Sequence, residues 1–235
     1  MAKRVAICFS GQMRSALEGQ LYYKENLYSQ HEVEIFAHTW DNHASSRLLM
    51  DRMPLMIDWQ ADFPLPTDIY RGYRVVNEKF PAYNTFSMYC SIFKANLLKI
   101  QYEIDHGFKY DVVIRTRFDY ALNRKLDLDS VEPGKVYVPA DRQDERHITC
   151  ADMFAYGTSE VMDRYCSTWL NIPRLYDSGF PINGEELLSG NLQINGLTGD
   201  NMVYVDMNNP FPPGPYNGNW HSFLRDDFKE WNKLR

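Results

Sequence analysis

Residues 4–11 read RVAICFSG, and residues 33–40 read VEIFAHTW. Both runs are rich in β-branched and aromatic residues and lead into polar residues, which is typical of buried strands that deliver loops to one edge of a parallel sheet. The residues between them predict a helix over 16–28. A strand, a helix and a second strand at this spacing form a βαβ unit. The sequence therefore predicts an α/β fold with a twisted, mostly parallel sheet flanked by helices.

The rest of the chain continues to alternate between helices and strands. The clearest helix is predicted over residues 86–104, where apolar residues recur at spacings of three and four. Further predicted elements are strands over 110–114, 135–138, 152–156 and 202–206, and helices over 158–169, 183–196 and 222–234. Residues 41–85 lack a sustained period and are interpreted as an irregular segment with one short strand over 73–76. No internal repeat or low-complexity linker divides the sequence, which predicts one domain over residues 1–235.

Composition narrows the possible partners. The chain has 235 residues, of which 44% are hydrophobic and 24% charged, with a net charge of -6. This balance lacks the positive field that duplex nucleic acid requires. The apolar run at 5–10 is too short for a signal peptide, and no window reaches the roughly 18 apolar residues of a membrane span. Four scattered cysteines, Cys8, Cys90, Cys150 and Cys166, form no CxxC pair, which favours core thiols over disulfides. We therefore expect a cytoplasmic protein with no membrane span and no nucleic-acid partner.

Polar residues that directly follow predicted strands are the first candidates for ligand binding, because open α/β sheets bind ligands at the carboxyl ends of their strands. The first group is Ser10, Gly11, Gln12 and Arg14. Its glycine permits close backbone approach and the following helix N-terminus favours an anion, while a plain tight turn is the alternative interpretation. The loop carries neither GxGxxG nor GxxxxGK, which argues against a dinucleotide-binding fold and against a P-loop.

The second group is His38, Trp40 and Asp41. An aromatic side chain here suits stacking on a nucleobase, and the carboxylate suits a hydrogen bond from a ribose hydroxyl. In the alternative interpretation, Trp40 belongs to the core and Asp41 caps the next helix. The sequence leaves both interpretations open.

The most informative stretch is YDVVIRTRFD over residues 110–119. A short apolar strand is predicted to end at Ile114 and to open into Arg115, Arg117 and Asp119. Burying this cluster without a ligand would cost free energy, whereas a diphosphate and a divalent cation would satisfy every member. A solvated salt-bridge cluster is the alternative. The stretch favours a site for a phosphate-bearing ligand.

Four segments together resemble a known family. They are RVAICFSGQMRS over residues 4–15, IFAHTWD over 35–41, YDVVIRTRFD over 110–119 and ADMFAYGTSEVMDRY over 151–165. In this order, the chain resembles the GT-A type glycosyltransferases, in particular the bacterial and viral group related to WavE-type lipopolysaccharide-synthesis proteins. The resemblance implies a single Rossmann-like GT-A domain that transfers a sugar from a UDP- or GDP-linked donor to a glycan or other hydroxyl acceptor. Residues 1–120 would form the nucleotide-sugar half, and residues 121–235 the acceptor half.

The same resemblance implies how the donor is held. GT-A enzymes use a short acidic motif to bind a divalent cation, manganese or magnesium, on the donor diphosphate. In RTRFD, Asp119 matches the last acid of that motif, and His221 lies where some of these enzymes place a late metal ligand. Because RTRFD holds one acid only, Arg115 and Arg117 offer a second way to neutralise the phosphates.

The resemblance further implies an acid that serves as base toward the acceptor hydroxyl. Asp152, in ADMFAYG, is the best match, with a strand-end turn residue as the alternative interpretation. Glu185 and Glu186 are the second choice, for which a solvated helix face is the alternative.

Two other functions use the same kind of sheet. One is a sugar-nucleotide nucleotidyltransferase, although the chain lacks the glycine-rich opening GxGTRLxP that is typical of that class. The other is a catalytically inactive protein that binds sugars or nucleotides. Binding of a nucleoside diphosphate separates a transferase from a scaffold or lectin.

Overall fold

A computed structural model of the protein describes residues 3–13, 16–40, 56–60, 82–122, 124–143 and 148–205. The strands are β1 (Val5–Ser10), β2 (Val33–Trp40), β3 (Met56–Gln60), β4 (Val112–Arg117), β5 (Val136–Gln143), β6 (Ile148–Cys150), β7 (Phe154–Gly157) and β8 (Met202–Val205). The α-helices are α1 (Ala16–Tyr23), α2 (Ala82–His106), α3 (Ser159–Cys166), α4 (Thr168–Asp177) and α5 (Gly184–Ile194). A π-helical turn (Lys24–Tyr28) extends α1, and a 3-10 turn (Gly199–Asn201) precedes β8.

The strands form a mixed sheet in the order β3-β2-β1-β4-β7-β5, and β5 also pairs with β6 and β8. Strands β1 to β4 are parallel to one another. Strand β7 runs antiparallel to β4 and to β5, so β5 again points in the direction of β4, and β8 is parallel to β5. The predicted α/β class, with a mostly parallel sheet flanked by helices, is confirmed.

The chain reverses its direction across the sheet at β1. After β1 it moves outward through β2 to β3, and after α2 it places β4 on the other side of β1. Such a reversal opens a crevice outside the carboxyl ends of the two central strands, which is where open α/β sheets bind ligands. The edge at which β1, β2 and β4 end is called the carboxyl edge below.

Side chains alternate between two buried faces, because successive residues of a strand point to opposite sides of the sheet. Cys8 of β1 and Val113 of β4 lie on the face covered by α2 to α5, called the α2 face. Ile7 and Ile114 lie on the opposite face, the α1 face, which is covered by α1 and by residues 118–122 and 126–128. Burial of both faces explains why these strands read as near-continuous apolar runs.

Strand β4 is longer than predicted. It continues to Arg117, so Arg115 and Arg117 are strand residues and do not belong to the loop that was expected after Ile114. Backbone pairing tolerates charged side chains, whereas the prediction ended the strand at its last apolar residue. Only the segment from Phe118 onward leaves the sheet.

Other boundaries also differ from the predictions. The sequence predicts an irregular segment over 41–85, but residues 56–60 within it form β3. This outer strand of the described sheet pairs with β2. The helix predicted over 158–169 is divided into α3 and α4 around Ser167. The short strand over 73–76 and the helix over 222–234 lie outside the described residues.

The three cysteines whose side chains are described are buried thiols without a disulfide, namely Cys8, Cys90 and Cys166. Core thiols were the favoured expectation for them. Across the described ranges, no helix is both long and apolar enough to cross a bilayer.

Candidate functional site

The candidate residues at the ends of β1, β2 and β4 meet at the carboxyl edge. Ser10 is paired with His38 of β2 on one side and with Arg117 of β4 on the other. Alternation along the strands places all three side chains, together with that of Arg115, on the α2 face. The three strand ends therefore lie side by side at the point where the sheet reverses its strand order.

The loop after β1 is held by β2 and α2. Gly11 has a φ of 102°, a conformation that favours glycine. Its N–H donates to the carbonyl oxygen of His38 at 3.2 Å and to Oγ of Ser91 on α2 at 2.8 Å. Gln12, the next residue, is half-buried. Two long-range contacts thus set the position of this turn.

His38 is fully buried and joins three elements. Its Nδ1 lies 2.8 Å from Oγ of Ser91, and its Nε2 lies 3.6 Å from a carboxylate oxygen of Asp58 in β3. The ring of Trp40 packs edge-on against it, with ring centroids 4.8 Å apart. These contacts fix the position of the His38 ring, while the half-buried Trp40 packs against the core of the α2 face.

Arg115 is the most unusual group at the carboxyl edge, because it is only 1% exposed. Its Nη1 donates to the backbone oxygen of Asp152. Its Nε and Nη2 have no hydrogen-bond partner among the residues that the structure describes. Nearby thiols do not supply a negative charge, because burial raises the pKa of Cys8 to about 12 and also raises that of Cys166. A buried guanidinium with two unsatisfied donors is costly, and an anion that accepted from both would relieve the cost.

Arg117 and Asp119 form a bidentate ion pair at the end of β4. Nε and Nη2 of Arg117 donate to Oδ1 and Oδ2 of Asp119, each at 2.8 Å. The Asp119 side chain is 2% exposed, and that of Arg117 is partly exposed. Helix α1 packs closely on this segment, because a Cβ at Gly19 would lie 2.5 Å from the carbonyl oxygen of Phe118. Packing and pairing together hold Asp119 in place.

Asp152 lies where β4, α2 and α5 converge. Because β7 is antiparallel to β4, the residues just before β7 lie at the carboxyl edge. The backbone oxygen of Asp152 accepts from Arg115. Its carboxylate lies against Gly184, the first residue of α5, where an added Cβ would be 2.5 Å from Oδ2. Tyr89 of α2 donates to the carbonyl oxygen of Gly184. The half-buried acid and the buried guanidinium are therefore neighbours.

Glu185 and Glu186 lie in the first turn of α5. Asn183 caps this helix through its side-chain oxygen, which accepts from the N–H of Glu186 at 3.2 Å. Glu186 is exposed and Glu185 is half-buried. Acidic residues in a first helical turn interact favourably with the helix dipole.

The described surroundings of Asp119 do not fit a divalent cation. Both carboxylate oxygens accept from Arg117, and the Asp119 side chain is 2% exposed, whereas magnesium and manganese need several oxygen ligands, waters among them, around the ion. Within the described ranges, no group of three or more His, Cys, Asp or Glu side chains is arranged to hold a metal. Arg14, Asp41 and His221, the remaining predicted binding residues, lie outside those ranges.

Three residues that shape the site were not predicted. Ser91 and Asp58 contact the end of β2, and Gly184 contacts Asp152. Ser91 could have been found, because it is a small polar residue within the apolar face of α2. A glycine beside a helix-capping asparagine was a weaker signal for Gly184. Asp58 left no signal, because β3 was not recognised as a strand.

A separate surface depression is lined by residues 30–31 and 125–129. Lys3, which precedes β1, donates to the carbonyl oxygen of Leu128 on its rim. The depression therefore lies toward the amino end of β1, on the side of the sheet away from the carboxyl edge. The position of the reversal in strand order favours the carboxyl edge as the ligand site.

Comparison of the sequence with models of protein families matched no family, and a search of the curated proteins found no significant match.

Proposed function

We propose that this protein is a GT-A type glycosyltransferase that moves a sugar from a nucleoside-diphosphate-sugar donor to a hydroxyl acceptor. In this proposal, the donor diphosphate binds at the carboxyl edge between β1 and β4. The reversal of strand order at β1 supports this position, because open α/β sheets bind their ligands there. The four sequence segments described above support the class of reaction, and each of them contributes a residue to the carboxyl edge.

The observation that carries the proposal is the unsatisfied guanidinium of Arg115. Phosphate oxygens suit the planar donors of arginine, because they accept two parallel N–H bonds at once. Ser10 ends the neighbouring strand on the same face, and its buried Oγ also has no hydrogen-bond partner among the described residues. A phosphate group placed at this edge would satisfy donors that are otherwise buried at a cost.

The proposed chemistry uses the two neighbouring groups in different ways. The acceptor hydroxyl attacks the anomeric carbon of the donor sugar, and the bond from that carbon to the diphosphate oxygen breaks. Arg115 stabilises the negative charge that grows on the leaving diphosphate, which lowers the barrier because the charge is larger in the transition state. Asp152 takes the proton of the attacking hydroxyl. The low dielectric of a buried site strengthens both interactions.

Replacement of Arg115 by methionine tests the proposal. Methionine fills a similar volume without a charge, so we expect the unliganded variant to be at least as stable as the wild type. UDP or GDP should raise the Tm of the wild type by mass action, and the variant should lose this shift. Release of nucleoside diphosphate from sugar donors should fall by about a hundredfold or more. Thermal shifts with UDP, GDP, CDP and their sugar derivatives, and a release assay, measure both effects.

Arg164→Met is the matched control, because Arg164 lies exposed on α3 and donates to a surface carbonyl oxygen. It should respond to nucleotides as the wild type does. A normal nucleotide response in Arg115→Met, or no response of the wild type to any nucleotide, would contradict the proposal. Formation of a sugar nucleotide from a sugar phosphate and a nucleoside triphosphate would instead identify a nucleotidyltransferase. Binding without transfer would identify a non-catalytic protein.

A further inference from the structure

Both carboxylate oxygens of Asp119 accept a hydrogen bond from Arg117. Each oxygen accepts one charge-assisted hydrogen bond at 2.8 Å, and the side chain is 2% exposed. Bidentate pairs of this kind are among the strongest hydrogen-bonded contacts in proteins, and they fix the orientation of the guanidinium plane. Asp119 is therefore the counter-ion of Arg117.

The positive charges near Asp119 also oppose the binding of a cation there. Arg115 and Arg117 are alternate residues of β4, so their side chains leave the same face about 7 Å apart along the strand. A divalent cation on Asp119 would have to share the carboxylate with Arg117 or displace it, and in either case it would lie near two guanidinium groups. Repulsion between like charges at such distances opposes that arrangement.

We infer that Asp119 is a positioning residue that orients Arg117 at the end of β4, and that arginine side chains hold the donor diphosphate with no divalent cation on Asp119. The inference rests on the proposed function, because it assigns how the diphosphate of that donor is bound. Asp119 acts on the ligand through Arg117, and the ligand charge is balanced by residues that belong to the strand.

A double-mutant cycle tests the positioning role. Asp119→Asn removes the charge of the pair, and Arg117→Lys keeps the positive charge but loses the bidentate geometry. Each variant should weaken UDP or GDP binding by about tenfold or more in isothermal titration. The double variant should bind the nucleotide no more weakly than the single variant with the lower affinity, because both changes break the same Arg117–Asp119 contact. Asp177→Asn, at the exposed end of α4, is the control and should bind as the wild type does. Additive losses would overturn the inference.

The wild-type protein gives a second test that needs no variant. UDP and GDP are titrated once in the presence of a chelator and once in the presence of manganese. The two conditions should give Kd values that agree within about threefold, which corresponds to less than about 1 kcal/mol of binding free energy. Manganese that tightens binding by about tenfold or more, with that gain lost in Asp119→Asn, would overturn the inference and leave the proposed function in place. Failure of every nucleotide to bind under both conditions would overturn the proposed function itself.

Discussion

Gly184 determines where the carboxylate of Asp152 lies. The acid sits against the first turn of α5 at a distance that leaves no room for a Cβ on residue 184. The backbone oxygen of Asp152 accepts from Arg115. One glycine, against the carboxylate, and one arginine, at the backbone, thus define the position of the proposed base.

The first prediction concerns Gly184→Ala. The new methyl group must displace the carboxylate of Asp152, and misplacement of a reacting group by about 1 Å can cost about a hundredfold in rate. We expect sugar transfer to fall by about that factor, while donor binding stays near the wild-type value. Alanine suits a first helical turn, so the free energy of unfolding should change by less than about 1 kcal/mol. Steady-state kinetics, nucleotide titration and urea unfolding measure the three quantities.

Two further variants show whether the effect of Gly184→Ala acts through Asp152. Glu186→Gln changes an exposed acid in the same helical turn and should leave transfer unchanged. Asp152→Asn should reproduce the loss of transfer seen in Gly184→Ala, with donor binding retained. If Asp152→Asn transfers sugar at the wild-type rate, Asp152 is not the base and Gly184 serves packing only.

At the scale of elements, the apolar periodicity of α2 predicted the helix but not all of its buried face. Phe86 is buried as expected, whereas Leu97 is 42% exposed and Ile104 is 67% exposed. In the C-terminal half of α2, the buried positions include Lys99 and Glu103. The helix therefore turns a charged stripe toward the protein interior at the point where the pattern predicted an apolar one.

The charged stripe is buried because α3 and the residues just before β4 complete a hydrogen-bond network around it. Nζ of Lys99 donates to Glu103 at 3.1 Å, to Oγ of Ser159 at 2.7 Å and to Asp163 at 2.7 Å. Ser159 in turn donates to Glu103 at 2.6 Å, and Lys109 donates to the same carboxylate at 2.7 Å. A network in which every member is paired can be buried at little net cost.

The second prediction concerns the pH dependence of stability. Burial by itself raises the pKa of Glu103, but hydrogen bonds from Lys109, Ser159 and the Tyr110 N–H, and the charge of Lys99, outweigh it and lower the pKa below 4.5. The unfolded state then binds more protons than the folded state in this range. The stability from ionised Glu103 is therefore complete above the unfolded pKa and is lost as the pH falls through the folded pKa.

Glu103→Gln removes that contribution. We expect the variant to lose about 3 kcal/mol of unfolding free energy at pH 7, because it leaves two lysines short of a partner. Its difference from the wild type should shrink as the pH falls below 4.5. Urea unfolding over a pH series measures this difference. Asp105→Asn, an exposed acid on the same helix, is the control. A difference that stays constant down to about pH 3, below the usual carboxyl range, would show that Glu103 does not titrate in this way.

At the scale of the whole molecule, one sheet joins the two sequence halves. Strand β4 of the first half pairs with β7 of the second, from Val113 opposite Gly157 to Thr116 opposite Phe154. The core of the α2 face contains side chains from β1 and β2 as well as from α3, α4 and α5. Among the described residues, both hydrophobic clusters combine side chains of the two halves.

The third prediction follows from the shared core. Leu188→Ala in α5 should lower the unfolding free energy by about 2–5 kcal/mol, because it deletes a fully buried side chain. If the molecule unfolds as one unit, amide hydrogens in β1 and β2 should exchange faster. The opening free energy derived from their exchange rates should fall by the same amount as the unfolding free energy. Leu170→Ala, at a position 60% exposed, is the control. Faster exchange confined to the second half would show two independent units.

The fold class, and the edge of the sheet that holds the candidate site, follow from local patterns in the amino-acid sequence. Apolar β-branched runs at 4–10 and 33–40 predict strands because both faces of the sheet are buried, and this preference is local. Polar residues that follow such runs mark strand ends in the same local way, and RTRFD is the most highly charged of these stretches.

Which of those residues form the site depends on contacts between distant parts of the chain. Gly11 is bound by Ser91, 80 residues away, and Arg115 by Asp152, 37 residues away. The periodicity of a segment reports its own burial and not the identity of its distant partner, so it could not show these contacts. Nor could it show that Arg117 occupies both oxygens of Asp119, because the direction of each side chain depends on where β4 ends. That end is fixed by pairing with β1 and β7, a long-range interaction that the order of residues within the strand does not encode.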